Sequence, residues 1–272
     1  MSSRIALGRG PRAEFERETA RGTRWVVQEG RPETPRRTAA GSRDFGCNVS
    51  GRPTSLCAVL NHEQDKRDAA QAAAALVADG QLVGLGTGST VAHLLPALAA
   101  RRLAIRCVAT SPETAQVGRE LGLEVVAFTG IERLDIAIDG ADQVDRDGWL
   151  IKGGGGAHTR EKVVAAAAAR FVVIASANKA VERIGPPVPL ELLRFGLDAT
   201  LAALGDVRLR DAPPSPDGGV IADYHGEFDD REAMAARLDA TPGVVGHGIF
   251  APAMTADVLL AGDGRVEHRV LR

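Results

Sequence analysis

Two rhythms of apolar residues divide this chain. Between residues 63 and 186, short unbroken apolar runs alternate with longer stretches whose apolar positions recur every three or four residues. The stretches DKRDAAQAAAALVA (65–78), STVAHLLPALAAR (89–101) and SPETAQVGRELG (111–122) predict helices. The first is stopped by Asp79-Gly80, the second is capped by Ser89 or Thr90, and the third by Ser111 with Pro112 in its first turn. Between and after them QLVGLG (81–86), AIRCVAT (104–110), LEVVAF (123–128), LDIAIDGAD (134–142) and RFVVIA (170–175) predict strands. Unbroken rather than alternating strands, each followed by a helix, imply a parallel sheet covered on both faces, an α/β fold. After residue 186 the order becomes VPLELL, DATLAALG, VRLRD, GVIADYH, DREAMAARLDA, VVGHGIF. That is β-α-β-β-α-β, the split unit of a small ferredoxin-like α+β domain. ADVLLAG and VEHRVL then predict strands returning to the first domain. The expected division is a Rossmann-like domain over 61–186 and 247–272, and a small domain over 187–246.

Residues 1–60 break the pattern. They hold 11 arginines, no lysine and six acids, a net +5, with much Gly, Pro, Ser and Thr. Such a composition predicts a disordered extension. A targeting segment, or a start placed too early, are the other readings, and six acids suit the first of these poorly. The remaining residues carry 22 basic and 29 acidic groups, a net −7, which speaks against nucleic acid as a partner. The composition is otherwise ordinary for a soluble protein, at 44% hydrophobic and 25% charged. No apolar run approaches the ~18 residues of a membrane span. Three cysteines without pairing or metal-site spacing fit a reducing compartment.

The chemistry gathers at three loops. Lys152 is followed by four glycines and by TREKVVAAAAAR, a strong helix by its alanines. A glycine loop opening into a helix presents free N–H groups and a positive dipole end; a flexible linker is the plainer reading. Glu161 falls in the first turns of that helix. The loop VGLGTGST places Thr87, Gly88, Ser89 and Thr90 between a strand and a helix. It lacks the third glycine and following acid of a dinucleotide fingerprint, and the lysine of a nucleotide P-loop. It suits one phosphate or several sugar hydroxyls, or is a tight turn with an N-cap. Asp139 and Asp142 end the strand LDIAIDGAD, where open α/β sheets bind ligands. They can accept hydrogen bonds from a polyol or move protons; a plain Asp-Gly turn is the alternative, and no histidine nearby supports a metal. The chain has only four lysines, at 66, 152, 162 and 179, against 29 arginines. Lysine here is expected to mark positions that need a compact ammonium, with chance placement of so few lysines the plainer reading. A small anionic, polyhydroxylated ligand and acid–base chemistry fit this set.

These residues carry a resemblance. GLGTGSTVAHLL, TSPETA, DIAIDGADQVD, KGGGGAHTREKVVA and ANKAVERIG, in this order from about Lys66 onward, resemble the A-type ribose-5-phosphate isomerase family. The resemblance implies a Rossmann-like catalytic domain with a ferredoxin-like lid, reversible isomerisation of ribose 5-phosphate to ribulose 5-phosphate through an enediolate, no metal or organic cofactor, a cytoplasmic location and a homodimer. By position it implies Glu161 as the base, Asp139 as an aid to ring opening and Lys152 as oxyanion stabiliser. It implies substrate contacts from Lys66, Thr87, Gly88, Ser89, Thr90, Asp139, Gly140, Ala141, Asp142, Lys152, Gly153, Gly154, Gly155 and Lys179. Gln143, His158 and the SPDGG turn depart from the family pattern. His158 is expected to face solvent or to pack, rather than to act in catalysis. A sugar-phosphate sensor without catalysis, or an isomerase of another phosphosugar, are the alternatives.

Overall fold

The computed structural model describes the backbone of residues 55–272, with side chains from residue 62 onward. In chain order the elements are α1 (Ser55–Ala75), β1 (Leu82–Leu85), α2 (Ser89–Ala100), β2 (Arg106–Ala109), α3 (Pro112–Glu120), β3 (Glu124–Val125), β4 (Leu134–Gly140), β5 (Gln143–Val144), β6 (Leu150–Ile151), α4 (His158–Ala167) and β7 (Ala168–Ser176). There follow β8 (Val188–Leu192), α5 (Leu197–Leu204), β9 (Val207–Leu209), β10 (Val220–Tyr224), α6 (Arg231–Ala240), β11 (Val244–His247), β12 (Ile249–Phe250), β13 (Asp257–Gly262) and β14 (Arg265–Val270).

Seven strands form the main sheet, in the order β14-β13-β7-β4-β1-β2-β3, all parallel except the edge strand β14. The period of two along each strand sorts its side chains between two layers. Val83, Leu85, Ile136, Ile138, Val172 and Ile174 pack with α1 and α2, where Ala69, Ala70, Ala73 and Ala74 let α1 lie close to the sheet. Val108, Ala137, Val173, Ala175 and Val258 face the other way, toward Val164 and Ala165 of α4 and toward Phe250. Both faces are covered, as the unbroken apolar strands required.

The second sheet has four strands in the order β11-β8-β10-β9, every pair antiparallel. In its own strand sequence that order is fourth-first-third-second, the ferredoxin-like arrangement expected. Leu190, Leu192, Ala222, Met234 and Leu238 centre its core. A third, three-stranded sheet, β12-β6-β5, lies where the chain passes between the two larger ones.

Several boundaries differ from the sequence reading. The disordered extension read over 1–60 lies outside the described residues as far as residue 54, and residues 55–60 belong to helix α1. The alanine helix stops at Ala167, and Ala168 and Ala169 open β7 instead. Pairing of Ala168 with Leu134 of β4 overrides alanine's helix preference there. VVGHGIF is two strands rather than one. Gly248 divides them, pressed so closely on the Lys152 carbonyl that a Cβ would lie 2.2 Å from its oxygen. β3 keeps only two residues, because β2 pairs with it at just Arg106 and Cys107. β5 and β6 had no signal long enough to read.

Gly84 sits where β1 meets α4: a Cβ would lie 2.5 Å from Val164 Cγ1 and 2.9 Å from Ala137 Cβ. Alanine should favour a strand over glycine by less than about 1 kcal/mol, whereas overpacking here costs about 1–3 kcal/mol. Gly84→Ala is therefore expected to lower the urea unfolding midpoint; an unchanged or raised midpoint would show that α4 yields freely.

Candidate active site

The carboxyl ends of β1 and β4 and the start of α4 converge on one buried ammonium. Lys152 Nζ lies 2.7 Å from Asp139 Oδ2, 3.1 Å from Glu161 Oε2 and 2.5 Å from the Gly140 carbonyl oxygen. All three charged side chains are at most 4% exposed. Phe250 of β12 lies beneath, its ring centroid 5.5 Å from Nζ. Strand β6 delivers Lys152, and Gly248, just before β12, holds it: the Lys152 N–H donates to the Gly248 carbonyl at 2.9 Å.

Local sequence explains each placement. Gly86 leaves room for Asp139, since a Cβ there would fall 1.8 Å from Oδ1. Asp139 Oδ1 also accepts from the Gly140 N–H at 2.7 Å and the Thr87 N–H at 3.1 Å. Gly153 has φ 102°, and a Cβ on it would meet the His158 ring 2.7 Å away. The Gly154 N–H donates to Asp142 Oδ2 at 2.8 Å, so Asp142 braces the glycine loop. Gly155 approaches Thr87, whose hydroxyl is paired with Thr110 at 2.7 Å.

Two carboxylates share one ammonium, and all are out of water. Burial, then the nearby Asp139 charge, pushes the Glu161 carboxyl up to about 8, against the pull of Lys152. Burial also raises Asp139, opposed by Lys152 and by the Gly140 and Thr87 N–H groups. Burial alone would weaken the Lys152 ammonium, but the two carboxylates outweigh it and its pKa is raised. The lysine stays charged, and Glu161, which lacks the backbone donors of Asp139, is poised to take and return a proton near neutral pH.

The other expected residues are placed unevenly. Gly88, with φ 127°, caps α2, and Ser89 and Thr90 form its first turn beside the Asp139 loop. Gly140 and Ala141 follow Asp139 along the same edge. Lys179 is half-buried in the turn after β7, and among the described residues no carboxylate lies within ion-pair distance of it. Lys66 is not joined to the triad by any contact: it pairs with Glu63 at 2.5 Å, and Glu63 pairs with His93 of α2 at 3.0 Å. His158 packs and does not face solvent; burial pushes its imidazole down to about 3. Gln143 exchanges two hydrogen bonds with Gly185, at 3.0 and 2.9 Å, which a glutamate could not do. The SPDGG turn holds Asp217, which takes both arms of Arg160, the neighbour of Glu161. Arg160, Arg210 and Phe250 were missed in the sequence. Arg160 lies inside the KGGGGAHTREKVVA motif, but each of the three meets a partner more than 50 residues away, Asp217, Gly153 and Lys152 respectively, that spacing along the chain does not reveal.

A buried acid–base pair around an ammonium, at the carboxyl edge of a parallel sheet and beside a glycine loop, defines an enzyme that moves protons on a small polar ligand. The chain matches the family of ribose 5-phosphate isomerase A (phosphoriboisomerase A) over residues 106–265. It is 45% identical to ribose-5-phosphate isomerase A of Roseiflexus castenholzii, covering 74% of this chain and 94% of that protein. The namesake from Methanosarcina acetivorans is 43% identical, covering 68% and 86%. Among solved structures, ribose 5-phosphate isomerase A of Methanocaldococcus jannaschii superposes with a TM-score of 0.73 at 32% identity, over 77% of this chain and 99% of that one. That of Neisseria gonorrhoeae gives 0.74 at 32%, over 78% and 98%. The chain belongs to the ribose-5-phosphate isomerase A family, and is thereby an aldose–ketose isomerase.

The raised carboxyl has a consequence for stability. Between the ordinary 4.5 and about 8, folded Glu161 keeps a proton that the unfolded chain has lost. Its contribution is therefore complete below 4.5 and is lost as pH rises through 8. Glu161→Gln cannot titrate, so its Tm relative to the parent should climb from pH 5 to pH 9. A difference constant over that range would show that Glu161 is not raised.

Proposed function

We propose that this chain interconverts D-ribose 5-phosphate and D-ribulose 5-phosphate through an enediolate, with Glu161 as the base. The carrying observation is the buried Lys152 ammonium, 3.1 Å from Glu161 and 2.7 Å from Asp139, with both carboxyl groups buried as well. Glu161 takes the proton from C2 of the open aldose and returns it to C1. Lys152 and the N–H groups of Gly153 and Gly155 stabilise the oxyanion, while the Gly154 N–H stays on Asp142, and one more proton passes between O1 and O2. Asp139 accepts the anomeric hydroxyl proton during ring opening. Asp142, Gly140, Ala141 and the Thr87–Thr90 loop face the sugar. Lys179, with no carboxylate partner among the described residues, suits a phosphate or hydroxyl. Lys66 reaches the phosphate only by leaving Glu63.

The Lys152 ammonium supplies the positive charge that the step needs, and the proposed reaction uses no metal or organic cofactor. Among the described residues no group of three His, Cys, Asp or Glu is arranged to hold a metal ion. One solved relative, 30% identical with a TM-score of 0.73, is a D-ribose-5-phosphate isomerase in complex with phospho-erythronic acid. An acid of that kind is the analogue we expect to compete here. The sensor reading is disfavoured because a buried carboxyl of raised pKa weakens folding, which binding alone does not require. We further propose the division into 61–186 with 247–272 and 187–246, a homodimer and a cytoplasmic location. Phe195, 92% exposed on the small domain, is an apolar side chain that a second copy would cover. No described helix is long and apolar enough to cross a membrane.

Turnover of ribose 5-phosphate by the purified chain in EDTA tests the reading, and full activity is expected. Glu161→Gln should lose roughly 10²–10⁴-fold in kcat with little change in KM. Lys179→Ala should chiefly raise KM, since a phosphate contact serves ground and transition states alike. Near-normal kcat in Glu161→Gln would place the base elsewhere.

A further inference from the structure

We propose that Arg210, from the small domain, is a positioning residue for the reaction: it fixes the peptide planes of the glycine loop so that the Gly154 N–H stays on Asp142 and the Gly155 N–H faces the sugar oxygens. The inference rests on the site proposed above.

Arg210 follows β9, and its own N–H donates to the Ile221 carbonyl at 3.0 Å. Its guanidinium is gripped from one side by Asp223 of β10, Nε to Oδ2 and Nη2 to Oδ1, both at 2.6 Å. The remaining nitrogen, Nη1, reaches across to the catalytic domain. It donates to the Gly153 carbonyl at 2.9 Å and to the Gly154 carbonyl at 3.0 Å. The pair with Asp223 sets the plane of the fork, and the planar fork sets Nη1.

The effect follows from peptide geometry. In a trans peptide the C=O and the next N–H point in opposite directions. With the Gly153 and Gly154 carbonyls turned to Arg210, the N–H groups of Gly154 and Gly155 turn away from it. On that side stand Asp142, which accepts the Gly154 N–H at 2.8 Å, and Thr87, whose Cγ2 is 3.4 Å from where a Gly155 Cβ would lie. Both belong to the proposed sugar site. Glycine peptides have little steric preference of their own. The Gly153–Gly154 plane is also held by the Gly156 N–H, which donates to the Gly153 carbonyl at 3.0 Å, and by Asp142, so the Gly154–Gly155 plane depends most on Arg210. A flip would aim a carbonyl oxygen at the enediolate and remove a donor from it. Arg210 blocks this by holding two successive carbonyls at once, without touching the substrate.

The test uses the full chain and ribose 5-phosphate. Arg210→Ala should lower kcat about 10²-fold, the loss expected when an oxyanion donor is misdirected, with KM within about threefold of the parent because phosphate contacts survive. Added guanidinium ion at non-denaturing concentration should restore part of that kcat, and ammonium ion should not. Arg210→Lys, which keeps the charge without the fork, should fall between. Unchanged kcat in Arg210→Ala, or a lowered Tm with normal kcat well below it, overturns the inference. If Arg210→Ala does not fold, Arg210→Lys decides: parental kcat there overturns it, and reduced kcat with parental KM supports it. Glu161→Gln runs alongside. Its inactivity beside a fully active Arg210→Ala sinks the Arg210 role alone, whereas an active Glu161→Gln sinks the site itself.

Discussion

One ammonium buried between two carboxylates governs this structure. Taking an ammonium and its carboxyl partners out of water is expensive, and their mutual attraction repays it only with close geometry and further hydrogen bonds. Lys152 has both, with Asp139, Glu161 and the Gly140 carbonyl all in reach. Asp139 in turn collects N–H groups from Thr87 and Gly140. Deleting the lysine would leave two carboxylates facing each other, a loss of about 3–5 kcal/mol for a broken buried pair. That need explains the glycines around it. Gly86 gives way to Asp139, Gly154 to Asp142, and Gly248 to the Lys152 backbone.

The four-stranded unit braces helix α4. Residues on both sides of Glu161 are tied to what lies around it. Arg160 reaches Asp217 of the SPDGG turn at 2.6 and 2.7 Å, and Lys162 donates to the Ile249 carbonyl at 2.9 Å. Lys162 also lies over the Phe250 ring, 5.0 Å from its centroid, and burial lowers its pKa to about 8. Glu161 thus sits on a helix whose first turns are fixed from outside the main sheet. The strand pair β6–β12 carries the same connection to Lys152 itself.

The departures from the family pattern are absorbed without touching the triad. Gln143 makes two matched hydrogen bonds with Gly185, which steadies the chain before the four-stranded unit. His158 fills the space above Gly153, neutral and buried. Its neutrality follows from burial, and it adds no competing proton carrier beside Glu161.

The sequence by itself determined the parallel sheet, the four-stranded unit and the residues of the triad. Unbroken apolar strands, glycines before helices and a rare lysine are local signals, readable wherever local chemistry is strong. Tertiary structure decided what depends on distant partners. Ala168 became a strand residue because β4 offered a partner, against its helix preference. VVGHGIF split because Gly248 alone could pass the Lys152 carbonyl. Lys66 pairs with Glu63 rather than lying bare, and Arg210 meets the glycine loop 56 residues away. An ion pair or a close approach depends on which atoms folding brings within a few ångströms, and composition and spacing along the chain do not encode that distance.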